Sequence, residues 1–81
     1  MILDTYGWIL FKQKKYSAAL DVLEKSASRL PGHPVVLYHL GAAYHATGKD
    51  NLARQHLEKA LSISSNFKEV DQVRKLLEKV N

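Results

Sequence analysis

The sequence predicts an all-α fold in which five helices form stacked antiparallel hairpins. Three observations support this prediction: an internal repeat with a period of 34 residues, small residues at matched places in both copies, and turn signals spaced one helix apart. A chain of 81 residues is long enough for one small domain, so we expect residues 1–81 to form a single unit.

The internal repeat is visible when the chain is aligned with itself at an offset of 34 residues. No gap is needed anywhere in the alignment. The matched pairs are Leu3 and Leu37, Gly7 and Gly41, Lys15 and Lys49, Ala19 and Ala53, Leu23 and Leu57, Glu24–Lys25 and Glu58–Lys59, and Ser26 and Ala60.

The first copy is predicted to contain two helices. The first runs from about Ile2 to Gln13 and is followed by the turn "KKYS". The second runs from about Ser17 to Arg29, where "LPGHP" breaks the chain because it combines proline with glycine.

The second copy follows the same plan. Pro34 suits the first turn of a third helix, because the amide that proline lacks would have no partner there. This helix continues to about Ala46, and Gly48 is predicted to end it in a left-handed conformation. Asp50 is predicted to cap a fourth helix that reaches about Ile63.

A fifth helix is predicted from Phe67 to Val80. Asn66 with Glu69 three residues later resembles a capping box. Apolar residues recur on one face of this helix, with Leu76 beside them and charges opposite, which indicates packing on one side only. The apolar residues of that face are Val70, Val73, Leu77 and Val80.

The small residues explain how the two helices of a hairpin meet. Gly41 lies near one face of the third helix, and Ala53 and Ala60 lie on one face of the fourth, beside Leu57. Small residues at a crossing let two backbones approach while larger side chains interdigitate around them. Stacked hairpins would bury the remaining apolar faces.

These residues closely resemble the tetratricopeptide repeat, a 34-residue pattern of an aromatic or large apolar residue, Leu-Gly, Tyr, Ala, a large apolar residue, Ala and Pro. The first copy matches with Leu3, Tyr6-Gly7, Leu10, Ala19, Leu23, Ser26 and Pro31. The second matches with Leu37, Leu40-Gly41, Tyr44, Ala53, Leu57, Ala60 and Ser65. The chain departs from this pattern in four ways. Leucine stands at the opening aromatic position, Tyr6 replaces the leucine of Leu-Gly, Ser65 replaces the proline, and Lys14 replaces the glycine expected in the first hairpin turn.

The resemblance implies an α-α superhelix with repeat 1 at about 1–33, repeat 2 at about 34–67 and a capping helix at about 67–80. Arrays of this kind usually need about three repeats for stability. We therefore expect this chain to be the C-terminal end of a longer array, or to self-associate through its first helix.

The resemblance also implies a function, the binding of a partner peptide or helix in a concave groove. Carried over by position, the groove residues would be Asp4, Trp8, Phe11, Lys12, Tyr38, Ala42 and His45, with His39 near the edge. Trp8 and Phe11 remain open to two interpretations, groove contact or packing against a neighbouring repeat or a second copy. Some members of the family bind the terminal carboxylates of a peptide with a lysine and an asparagine at set groove positions. Here Asp4 and Tyr38 stand at the lysine position of the two repeats, and Trp8 and Ala42 stand at the asparagine position.

Other functions are not favoured by the sequence. The formal charge is +4, which keeps nucleic-acid binding as a third and less favoured function. The basic residues are mostly interleaved with acidic ones, which indicates a solvated surface, so we expect no nucleic-acid partner. His39 and His45 lie about 240° apart around a helix and cannot chelate one metal ion together. We expect no metal site, cofactor or catalysis, since there is no cysteine and no nucleophile-and-base arrangement. No apolar run is long enough for a membrane span, so we expect a soluble chain whose compartment stays open.

Overall fold

The computed structural model describes residues 2–81 of the chain. Within that range no strand occurs, so the predicted all-α fold is confirmed. The five helices are α1 (Ile2–Lys12), α2 (Tyr16–Arg29), α3 (Pro34–Ala46), α4 (Asp50–Ile63) and α5 (Val70–Val80).

The helices pack as two hairpins followed by a single helix. α1 packs on α2, α3 packs on α4, and contact between α2 and α3 joins the two hairpins. α5 packs on α4 and also touches α3, which in turn touches α1. α1, α3 and α5 therefore lie on one side of the molecule, which is the side that bears the candidate site.

The predicted close approach at the small residues is confirmed in both hairpins. A Cβ atom added at Gly41 would lie 2.8 Å from Cγ and Cδ2 of Leu57. At Gly7 the same atom would lie 2.7 Å from Cγ and Cδ2 of Leu23. Both leucines are completely buried, so each glycine gives a leucine of the facing helix the room that it needs.

A single core runs through all five helices. It contains small residues at the crossings and larger side chains around them, and α5 contributes valines from its predicted apolar face. The buried members are Leu10, Ala19, Leu20, Leu23, Leu40, Ala43, Tyr44, Ala53, Leu57, Val73 and Val80.

The turns inside the two hairpins have the same geometry although their sequences differ. Gly48 ends α3 with φ at 81°, as predicted, and Lys14 occupies the equivalent place after α1 with φ at 64°. In each turn the amide of the next residue donates to a carbonyl five residues back, from Lys15 to Leu10 at 3.0 Å and from Lys49 to Tyr44 at 2.8 Å. These are the bonds of a Schellman motif, which normally favours glycine at the left-handed position.

The helix ends differ from prediction in four places. α1 ends one residue early at Lys12, and α2 begins one residue early at Tyr16. Asp50 is the first residue of α4, whose cap residue Lys49 makes no capping side-chain bond. α5 begins only at Val70, again without a side-chain cap.

The predicted capping box at the start of α5 was therefore wrong. Asn66 uses its own amide to donate to the Ser64 hydroxyl at 3.1 Å, and the amide of Val70 donates to the carbonyl of Phe67 in a turn. Phe67 packs partly buried against the core. The packing of Phe67 on the core is a tertiary contact, which local capping preferences do not take into account.

Candidate binding cleft

A cleft of about 720 Å³ opens on the side of the molecule formed by α1, α3 and α5. We call it the inner cleft. One wall is aromatic, the floor consists of small residues of α3, and the opposite wall comes from α5. Its lining residues are Trp8, Phe11, Tyr16, Tyr38, Ala42, His45, Ala46, Gln72, Lys75, Leu76 and Lys79.

The aromatic wall consists of Trp8, Phe11, Tyr16 and Tyr38. Trp8 and Phe11 are one helical turn apart on α1, and their rings stack with centroids 4.6 Å apart and an angle of 9°. Tyr16, at the start of α2, meets Phe11 edge-on at 5.2 Å. Tyr38 of α3 lies tilted at 5.6 Å from Trp8. Contacts of this kind stabilise aromatic pairs beyond their burial, so the wall holds its own shape.

A buried polar pair supports the wall from behind. Nδ1 of His39 lies 2.7 Å from Oδ1 of Asp4, and both residues are more than nine-tenths buried. The imidazole N–H donates in this hydrogen bond when the carboxylate is ionised, because an ionised carboxylate only accepts. The His39 ring stacks on Trp8 with centroids 4.0 Å apart. The pair therefore ties α1 to α3 and fixes the position of the indole.

Small residues of α3 keep the floor of the cleft open. Ala42 is buried, and Ala46 follows one turn later. His45 lies at the rim, where its Nδ1 is 2.8 Å from Oδ1 of Asp50 at the start of α4. This contact links the end of one helix to the beginning of the next.

Burial affects the chemistry of Tyr38 in the aromatic wall. Desolvation of its phenol, and to a smaller extent the negative charge of Glu69, raise the pKa of Tyr38 above its ordinary value. A tyrosine hydroxyl is already neutral at physiological pH and can donate or accept a hydrogen bond, and the shift extends the neutral form to higher pH.

The predicted site residues divide into two groups. Trp8, Phe11, Tyr38, Ala42 and His45 line the inner cleft together. The other three do not. Asp4 and His39 are buried behind the indole, and Lys12 lies exposed at the end of α1 without lining the cleft.

The wall that α5 contributes was not predicted from the sequence. Gln72, Leu76 and Lys79 stand 34 residues after Tyr38, Ala42 and His45. The repeat offset applied once more to the capping helix would have found all three. Lys75 has no such signal, because the equivalent residue one repeat earlier is the buried Gly41. Tyr16 has none either, because it lies in the predicted turn just before the predicted second helix.

The opposite side of the molecule has a smaller cleft of about 310 Å³ near Tyr44. The Tyr44 hydroxyl donates to Glu24 at 2.8 Å, and the phenol ring lies tilted against His56. Burial, the hydrogen bond to Glu24 and the negative charge of that carboxylate together raise the pKa of Tyr44 to about 12. This contact joins α2 to α3 and belongs to the packing of the two hairpins.

Among residues 2–81, no three histidine, cysteine or carboxylate side chains come close enough together to hold a metal ion. The described helices include none of the length and apolarity that crossing a bilayer requires.

Comparison with known proteins identifies a family. A family model described as "Tetratricopeptide repeat" matches residues 10–80. No curated protein matches the chain significantly, and no solved structure does. The matched segment contains the second helix of the first hairpin, the whole second hairpin and α5.

Proposed function

The chain belongs to the tetratricopeptide repeat family, and from this membership we propose that it binds a peptide or helix of a partner protein in the inner cleft. Repeats of this family generally act as non-catalytic protein-interaction modules. The coarse function is therefore protein interaction, and the use of the inner cleft is the specific proposal.

The observation that supports it best is an aromatic wall beside an open cleft. A volume of about 720 Å³ lies in the range of roughly 300–1,000 Å³ typical of ligand sites. Tryptophan and tyrosine dominate the binding energy of many interfaces, since they offer a large contact area with few rotatable bonds. Trp8 and Tyr38 supply such groups from two different helices.

The test begins with peptides selected from a random library on the purified chain. We expect Trp8→Ala and Tyr38→Ala each to weaken a selected peptide by about tenfold or more. Helix content should stay nearly the same, as measured by circular dichroism. Tyr6→Ala is the matched control, because Tyr6 is 52% exposed and lies outside the cleft. Unchanged affinity in both cleft variants would reject the proposal.

A second candidate function is self-association through α1. Tyr6 and Ile9 are three residues apart on this helix and are 52% and 50% exposed, so they form part of an apolar face. Burial of such a face stabilises by about 25 cal/mol for each Å² removed from water. Light scattering should show a dimer that Ile9→Glu dissociates, whereas a monomer at high concentration would exclude this function.

A further inference from the structure

We propose that the partner segment is acidic as well as apolar. An aromatic or aliphatic side chain of the partner would lie against the aromatic wall, and carboxylates would pair with Lys75 and Lys79 on the opposite wall. This inference rests on the proposed use of the inner cleft and specifies the chemistry of its ligand.

The charges of the cleft favour an anionic ligand. Lys75 and Lys79 line it, and none of its lining residues is an aspartate or glutamate. Asp4 is paired with His39 and Asp50 with His45, while Glu69 lies near Tyr38 but does not line the cleft. Within residues 2–81, neither lysine has a carboxylate within ion-pair distance, and the ion pair of α5 joins Arg74 to Asp71.

The spacing of the two lysines makes an anion between them favourable. Residues four apart on a helix are neighbours on its surface, and like charges at that spacing destabilise the helix slightly. Lys79 lies in the last turn of α5, where the helix dipole favours a cation, but Lys75 lies mid-helix without that benefit. A carboxylate bound to both would remove the repulsion.

Two parallel rows of residues suggest how the partner is oriented. Trp8, Ala42 and Leu76 occupy equivalent places in α1, α3 and α5, and they form an apolar row across the cleft. The adjacent row consists of Phe11, His45 and Lys79, so it changes from aromatic to cationic along the same path. The apolar group of the partner would therefore lie at the α1 end and its carboxylates at the α5 end.

The same geometry favours a protein segment over single-stranded nucleic acid. Nucleic-acid channels combine a basic groove with aromatic faces on which bases stack. The lining has two lysines and no arginine, whereas binding to a phosphate backbone usually needs several cationic contacts.

Three synthetic peptides of about 12 residues test the inference, with Trp8 as the reporter because it is the single tryptophan of the chain. The first combines phenylalanine and leucine with glutamates. The second replaces the glutamates by glutamine, and the third replaces the apolar residues by alanine. None contains tryptophan, so a change in protein fluorescence reports contact at the cleft.

We expect the first peptide to bind about tenfold more tightly than either of the others, and added salt to weaken it selectively. The double variant Lys75→Gln/Lys79→Gln should bind the first peptide no better than the second. The control Lys25→Gln/Lys59→Gln removes the same charge from α2 and α4, outside the cleft, and should bind it normally.

Three results would overturn the inference. If the glutamine peptide binds as tightly as the acidic one and Tyr38→Ala weakens both, the cleft binds peptides without selecting charge, and the proposed function stands. If none of the three peptides binds while library-selected peptides do, the ligand chemistry is wrong but the cleft is not. If a thymidine oligonucleotide displaces the acidic peptide with a steep salt dependence, the cleft is a nucleic-acid site.

Discussion

The close approach of α3 and α4 predicts that Gly41→Ala destabilises the fold when Leu57 is present and stabilises it when Leu57 is replaced by alanine. In Gly41→Ala the added Cβ would lie 2.8 Å from Cγ and Cδ2 of Leu57, whereas carbon atoms in good contact are about 3.5–4.0 Å apart. Leu57 is completely buried, as is Ala53 beside it. The leucine therefore has little room to move away.

Two opposing effects set the magnitude. Overpacking of a filled core typically costs about 1–3 kcal/mol, while alanine is favoured over glycine within a helix by about 1 kcal/mol. We expect Gly41→Ala to lower the free energy of unfolding by up to about 2 kcal/mol. In a Leu57→Ala background both close atoms are absent, so the same change should raise the free energy of unfolding by about 1 kcal/mol.

Urea unfolding followed by far-UV circular dichroism measures the four variants of this cycle. Leu57→Ala alone costs about 2–5 kcal/mol, so the whole series is measured in a stabilising osmolyte. Gly7 with Leu23, at 2.7 Å, provides an independent copy of the experiment. Gly32→Ala is the control, since no atom lies within 4 Å of its added Cβ.

The double-mutant cycle measures whether Gly41 and Leu57 are coupled. Contacting residues are coupled by roughly 0.5–3 kcal/mol, whereas independent sites add to within about 0.3–0.5 kcal/mol. If Gly41→Ala has the same effect in both backgrounds, Leu57 does not determine the need for glycine and the reasoning is refuted.

Three further predictions concern polar contacts and turns. Asp4→Ala leaves the His39 imidazole buried without its acceptor, so the free energy of unfolding should fall by about 1–3 kcal/mol. Asp4→Asn should recover much of this loss, and equal losses for the two variants in urea titrations would contradict the prediction. Lys14→Gly should stabilise the fold by up to about 1 kcal/mol and Gly48→Ala should destabilise it by a similar amount, because both positions are left-handed. Thermal melts in which the two variants do not shift in opposite directions would contradict this prediction. The pKa of Tyr44 is about 12 in the folded state and about 10 in the unfolded state. The contribution of its neutral hydroxyl to the free energy of unfolding is therefore complete below pH 10 and is lost as the pH rises towards 12. The stability advantage over Tyr44→Phe should shrink across that window, and a constant difference would rule out the raised pKa.

Much of the fold could be predicted from the sequence because its determinants are local or periodic. Pro34 and Gly48 mark the ends of α3 through backbone preferences that need no tertiary contact. The pairing of Gly41 with Leu57 follows from helical spacing and from the recurrence of the same residues one repeat earlier. Five of the eight expected groove residues line the inner cleft for the same reason, since equivalent positions of repeated helices face the same side.

The rest depended on contacts between residues far apart in the chain. Asp4 and His39 are 35 residues apart and look like solvent-facing groups in their own helices, yet the register of α1 against α3 buries them as a pair. Phe67 packs against the core, and α5 begins only at Val70. Lys75 lines the cleft, although the equivalent residue one repeat earlier is the buried Gly41.

The sequence by itself determined the number of helices, their pairing and the places where two backbones approach, because turn residues and small residues act through local geometry. Only the tertiary structure decided which polar groups are buried and which charges face the cleft. Burial and charge environment depend on the relative rotation and depth of packed helices, and no single helix carries that information.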